Sequence, residues 1–177
     1  MAALAAVLLG ACSPEYNWRE VRAADQGYVV MLPGKPASMT RTIQLDGLEV
    51  PMTMQGAKVG DTSFTVASAL LPDGSEATRA RAVAAMRAGM LRNIAGTEKR
   101  AQPVRVQVID AGGAATGEAA ALRVDAEGSA QGKPVTMLAG FTAHANRAYQ
   151  WLALGPAVDA EQAGTFLSSF RLTLVAP

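Results

Sequence analysis

The sequence predicts an α+β protein built on a mostly antiparallel sheet of about six to eight strands covered by two helices. Three observations predict it. Short alternating or β-branched runs recur along the chain between Pro, Gly and Asp-Gly breaks. Only two stretches carry apolar residues at helical spacing. The order is strands, one helix, more strands, a second helix and an end strand, which is the order of an α+β fold rather than of strictly alternating βαβ units.

Each element has a local cause. Residues 16–23 alternate loosely and predict a first strand. Gly27-Tyr28-Val29-Val30-Met31-Leu32 is a β-branched and aromatic run. It ends at Pro33-Gly34-Lys35-Pro36, where two prolines remove two ladder donors. Residues 38–45 alternate, with Met39, Arg41, Ile43 and Leu45 on one side, and Asp46-Gly47 is a strong signal for a hairpin into residues 48–58. Residues 62–71 form the next strand, stopped by Pro72. Asp73 with Glu76 fits a capping box, with Ser75 a competing cap. Val83, Met86, Met90 and Ile94 then mark the buried stripe of a helix closed by Gly96. Strands follow at 103–110 and 118–125, a Gly-rich loop at 127–134, and two more strands at 135–143 and 147–154. Asp159 with Gln162 caps the second helix, whose stripe is Ala163, Phe166, Leu167 and Phe170. A short strand at 171–175 ends the chain.

Composition narrows the function classes. The chain has 177 residues, half of them hydrophobic, enough for one domain with a sizeable core and few for two. Sixteen basic residues nearly balance fifteen acidic ones, a net charge of +1. That balance gives no general attraction to nucleic acid, and no basic-aromatic stripe runs through the sequence. The single cysteine, Cys12, excludes an internal disulfide.

The first twelve residues give that cysteine a role. Ala2-Ala3-Leu4-Ala5-Ala6-Val7-Leu8-Leu9-Gly10 is a short uncharged apolar run, well under the roughly 20 residues of a membrane-spanning helix. No Lys or Arg precedes it, where a secretory leader carries one. The run ends in Leu9-Gly10-Ala11-Cys12, which resembles the lipobox of bacterial lipoproteins. The resemblance implies a signal peptide at 1–11, a lipid on the Cys12 thiol, a short tether at 12–16 and a single domain at 17–177. Several acyl chains on one residue hold a protein to a membrane where one chain does not. Ser13, which is not Asp, implies sorting to the outer membrane of the cell envelope, with the domain facing the periplasm.

A second resemblance concerns the domain. Tyr28-Val29-Val30-Met31-Leu32-Pro33-Gly34-Lys35-Pro36 and the closing Phe166-Leu167-Ser168-Ser169-Phe170-Arg171-Leu172 resemble the two ends of small exported domains of the PsbP-like, Ran-binding Mog-type class. This resemblance implies an α/β/α sandwich. It implies little about function, because that fold hosts unrelated roles.

Other chemistries lack their residues. Gly128-Ser129-Ala130-Gln131-Gly132-Lys133-Pro134 has three residues between its glycines instead of four, and Pro where a phosphate loop needs Ser or Thr. The one histidine, His144, sits at a predicted strand end with no Gly-x-Ser-x-Gly elbow in the chain. Asp110, Glu118, Asp125 and Glu127 leave a carboxylate pair open only through sheet neighbours. Met52 and Met54 share a strand face, and thioethers suit Cu(I), but methionine more often fills irregular gaps in a core. Trp151 and Tyr149 read as core residues of a central strand. No metal, cofactor or catalysis is therefore expected.

Arg79, Arg81, Arg87 and Arg92 on the first helix are candidate contacts to anionic headgroups on a tethered domain. The expected function is a non-enzymatic envelope lipoprotein, binding, scaffolding or assembling an envelope protein partner. The alternatives are a carrier of a small apolar or lipid ligand, which would need an open apolar cavity, and a hydrolase, which would need a partner beside His144.

Overall fold

A computed structural model of the chain describes residues 15–174. Cys12 and the expected leader lie outside the described residues. The elements in order are β1 (Arg19–Ala23), a 3-10 turn (Ala24–Gln26), β2 (Tyr28–Leu32), β3 (Ala37–Leu45), β4 (Leu48–Val59), β5 (Thr62–Leu70), α1 (Glu76–Asn93), β6 (Thr97–Ile109), β7 (Ala115–Ala130), β8 (Lys133–His144), β9 (Arg147–Gly155), α2 (Ala160–Ser169) and β10 (Arg171–Thr173).

All ten strands join one sheet in the order β1-β2-β10-β6-β7-β8-β9-β5-β4-β3. Every pairing is antiparallel except β10 with β6. Strands make up 58 % of the structure, and the sheet curls into a half-barrel. This overturns the expected sheet of six to eight strands covered by two helices, and with it the α/β/α sandwich. The reason is partly strand recruitment. β3 has one buried residue, Leu45, and joins through its ladder to β4. β10 has only three residues and is inserted between β2 and β6. The rest is coverage. Helices of 18 and 10 residues each pack on a strip of one face, and ten curled strands extend well beyond them.

The turns follow residue chemistry. Asp46-Gly47 connects β3 to β4 with both φ positive (50° and 81°), as the right-handed twist of a two-residue hairpin requires. The Gly-rich segment at 127–134 is mostly strand: Gln131-Gly132 alone forms the turn, again with both φ positive. β6 begins six residues earlier than the pattern predicts, because Thr97–Gln102 carries no apolar alternation and is held by its pairing with β7.

Two cores lie on opposite faces, and they differ in kind. On the α2 face, Tyr28, Phe64, Tyr149, Trp151, Phe166 and Phe170 are all buried. Trp151 stacks on Phe170 with ring centroids 4.2 Å apart and donates its indole N–H to the Leu167 carbonyl at 3.0 Å. A Cβ on its cross-strand neighbour Gly140 would overlap the indole ring, so only glycine leaves the slot that Trp151 occupies. Tyr16 stacks on Trp18, which lies edge-on to Phe64. The chain is thus docked on the domain only four residues after Cys12. On the α1 face the core is made of Leu, Ile, Val, Met and Ala, with Phe141 its one buried aromatic.

Candidate functional site

The α1 face is not filled. In α1, Ala82, Ala85, Met86, Gly89 and Met90 lie toward the sheet. In β5, the residues on that face are Ser63, Thr65, Ala67 and Ala69, because Phe64 and Val66 point to the other core. Methyl groups, hydroxyls and a glycine on both walls leave a gap where the opposite face has aromatic rings. The gap is a cleft of about 460 Å³ between α1 and strands β3, β4, β5 and β9. Four of the chain's eight methionines, Met52, Met54, Met86 and Met90, line it. Flexible thioether chains suit a wall that adapts to a guest.

One polar side chain stands out in it. Gln150 lies in the middle of β9 between buried neighbours and is 8 % exposed. Its amide lines the cleft and makes no hydrogen bond to a side chain or backbone group among the described residues. Among the described residues the buried side-chain polar atom left without a partner is Thr173 Oγ1; the Gln150 amide instead keeps access to solvent through the cleft, where water or the polar atoms of a guest meet its donors and acceptor. The sequence carried a signal for it, a single Gln inside Ala148-Tyr149-Gln150-Trp151-Leu152, but not the space in front of it.

The cleft continues past Met54, Ser63 and Thr65 into an open groove of about 500 Å³ along β3, β4 and β5. None of the residues lining that groove is buried. It is a shallow extension of the cleft, reaching Lys35 and Lys58 at its far end.

The four helix arginines do not form one face. Arg81 is tied to Asp46 of the β3–β4 hairpin, through the carboxylate at 2.9 Å and the carbonyl at 2.8 Å. Arg87 makes a two-point pair with Glu98 at 2.9 and 2.6 Å. Arg79 reaches the Ala145 carbonyl at 3.5 Å and lies with Arg87 on the β7–β8 side of the helix. Arg92, on the other side, lines the cleft and has no ion-pair partner among the described residues.

His144 ends β8 and makes no side-chain hydrogen bond among the described residues. Burial and then the Arg79 charge hold its pKa below the ordinary value. No nucleophile or carboxylate is hydrogen-bonded to it among the described residues. Asp110 accepts from the Ala114 amide in the β6–β7 turn, Glu127 pairs with Lys99, and Glu118 and Asp125 stand opposite Gln107 and Arg100. Those four carboxylates are not brought together. Among the described residues no group of three or more His, Cys, Asp or Glu converges, and no helix is long and apolar enough to cross a membrane.

No family model matches the chain, and no curated protein matches it. Among solved structures it is similar to the crystal structure of PA94, a Pseudomonas aeruginosa protein of unknown function. The identity is 12 % and the TM-score 0.38, with 70 % of this chain and 87 % of that one covered.

Proposed function

We propose that the protein is a lipid-anchored binding module of the bacterial cell envelope, holding a small apolar or lipid-like molecule in the cleft under α1. The observation that carries this reading is the cleft itself: lined by four methionines among largely apolar walls, with the Gln150 amide on its floor open to a guest. Ligand sites have this make-up, largely apolar walls with a few placed polar groups in a volume of roughly 300–1,000 Å³. The anchor rests on Leu9-Gly10-Ala11-Cys12. Docking of the chain from Tyr16 onward would hold the domain close to the membrane that supplies such a molecule.

Two measurements test the two halves. Native mass spectrometry of protein purified without detergent should show a bound molecule that is lost in Met90→Trp, which fills the cleft. A ligand-free spectrum together with no uptake of added lipid would refute the binding half. Cys12→Ala should abolish lipid labelling and move the protein to the soluble fraction, and persistent labelling would refute the anchor.

A further inference from the structure

Charge around the opening says what kind of molecule fits. Arg41 lies on β3 in the same row as Ile43 and Leu45, and Arg92 lies in the last turn of α1. Both are exposed and both line the cleft, so they flank its mouth. Neither has an ion-pair or hydrogen-bond partner among the described residues. The groove beyond adds Lys35 and Lys58, the latter in a long 3.7 Å contact with Asp61. No Asp or Glu lines either part. In a chain whose overall charge is nearly balanced, a largely apolar trough whose charged lining residues are all cations is a local selection.

We infer that the ligand is a single-chain carboxylate amphiphile, a fatty acid, with its tail among the methionines and its head between Arg41 and Arg92. This rests on the binding reading above. A guanidinium pairs with a carboxylate through two parallel hydrogen bonds and keeps its charge at every physiological pH. An apolar wall alone would take neutral and cationic chains as readily. The cleft volume lies in the lower half of the range for drug-sized ligands, which suits one acyl chain rather than two. Gln150 would meet polar atoms, or the water carried in with them, at the inner end of the head region.

The test uses the full chain carrying Cys12→Ala, so that no attached acyl chain competes. A dansyl-labelled undecanoate is bound and displaced by laurate, dodecanol or dodecyltrimethylammonium, the two ionic chains below their micellar concentrations and dodecanol below its solubility limit. Laurate should displace the probe at about tenfold lower concentration than either, the effect of one charge-assisted pair. Arg41→Gln with Arg92→Gln should remove that advantage and leave dodecanol unchanged, and Arg41→Lys with Arg92→Lys should restore part of it. Equal displacement by all three chains would overturn the fatty-acid inference while leaving the apolar site standing. Better displacement by a lysophospholipid than by laurate would overturn the carboxylate head. Failure of the probe to bind at all would overturn both this inference and the binding reading.

Discussion

Ala95 follows the last residue of α1 and its cap, with φ at +44°. In this region an L-residue other than glycine carries about 1–2 kcal/mol of steric cost. The helix end needs the turn regardless, because the Ala95 and Gly96 amides close it onto the carbonyls of Arg92 and Leu91 at 3.0 and 2.8 Å. Glycine would remove the clash but enlarge the unfolded ensemble, at about 0.5–1 kcal/mol. The difference favours Ala95→Gly by about 0.5–1 kcal/mol, readable as a raised urea midpoint with unchanged slope; a lowered midpoint would contradict it. Tyr149 poses a different residue-scale question. Its hydroxyl donates to the Gln26 carbonyl at 3.1 Å, and burial, opposed in part by Arg147, pushes its pKa up to about 12. Because the folded state holds that proton more tightly than the unfolded chain, this contribution is complete below about pH 10. It is lost as pH rises through the folded value. Burial raises the Tyr28 hydroxyl as well. Stability should therefore fall between pH 10 and 12, and Tyr149→Phe should flatten that fall in a series of urea titrations. An equally steep fall in the variant would remove Tyr149 as its cause.

The joint between α1 and β7 shows what one-dimensional patterns convey and what they omit. The helix start is legible, since Ser75 caps it by accepting from the Thr78 amide at 3.2 Å, and Asp73 in turn accepts from the Ser75 amide at 2.8 Å. The helix end is legible as a Gly96 stop, but the left-handed residue is Ala95 and Gly96 does something else. A Cβ on Gly96 would crowd Ile94 and the Glu127 carbonyl, and one on Gly128 would overlap the Ile94 carbonyl and the Gly96 Cα. The two glycines let the helix end lie directly on β7, where the Ser129 amide donates to the Ile94 carbonyl at 2.6 Å. Nothing local marks Gly128 for this, because its partner lies 32 residues back in the sequence. Gly128→Ala should cost about 2–3 kcal/mol, the upper part of the overpacking range, since backbone rather than a movable side chain must give way. A chemical denaturation curve checks it, and a change under 0.5 kcal/mol would mean the joint is looser than drawn. The same limit explains the strand count. Alternation and Asp46-Gly47 mark hairpins, whereas the insertion of β10 beside β6 depends on a pairing between residues 64 apart in the chain.

Across the whole molecule the sheet separates two environments built from different alphabets. The α2 face holds the buried aromatic rings apart from Phe141, in stacked and edge-on pairs, and the α1 face holds the methyls, thioethers and the cleft. Sequence shows the composition of each stripe, and the alternation in β5 and β9 assigns residues to faces. It does not show that Ala85 and Gly89 stand opposite Ser63 and Thr65, so the void between them was not legible, nor was Arg92 as part of its rim. If the α2 face supplies most of the packing free energy and the α1 face the binding site, the two should respond oppositely to substitution. Phe166→Ala removes a fully buried ring and should cost about 3–5 kcal/mol, with laurate affinity unchanged under conditions where the variant is folded. Ala85→Leu adds three carbons to the cleft wall, where there is space to receive them. At roughly 25 cal/mol per Å² of apolar surface removed from water, it should raise stability by about 1 kcal/mol while blocking the tail of a bound chain. Gain of stability with loss of binding is the trade expected at a ligand site. It is checked by measuring the urea midpoint and dansyl-undecanoate affinity of the same Ala85→Leu preparation. If both rise, or both fall, the void under α1 is a packing defect and not the place where a ligand sits.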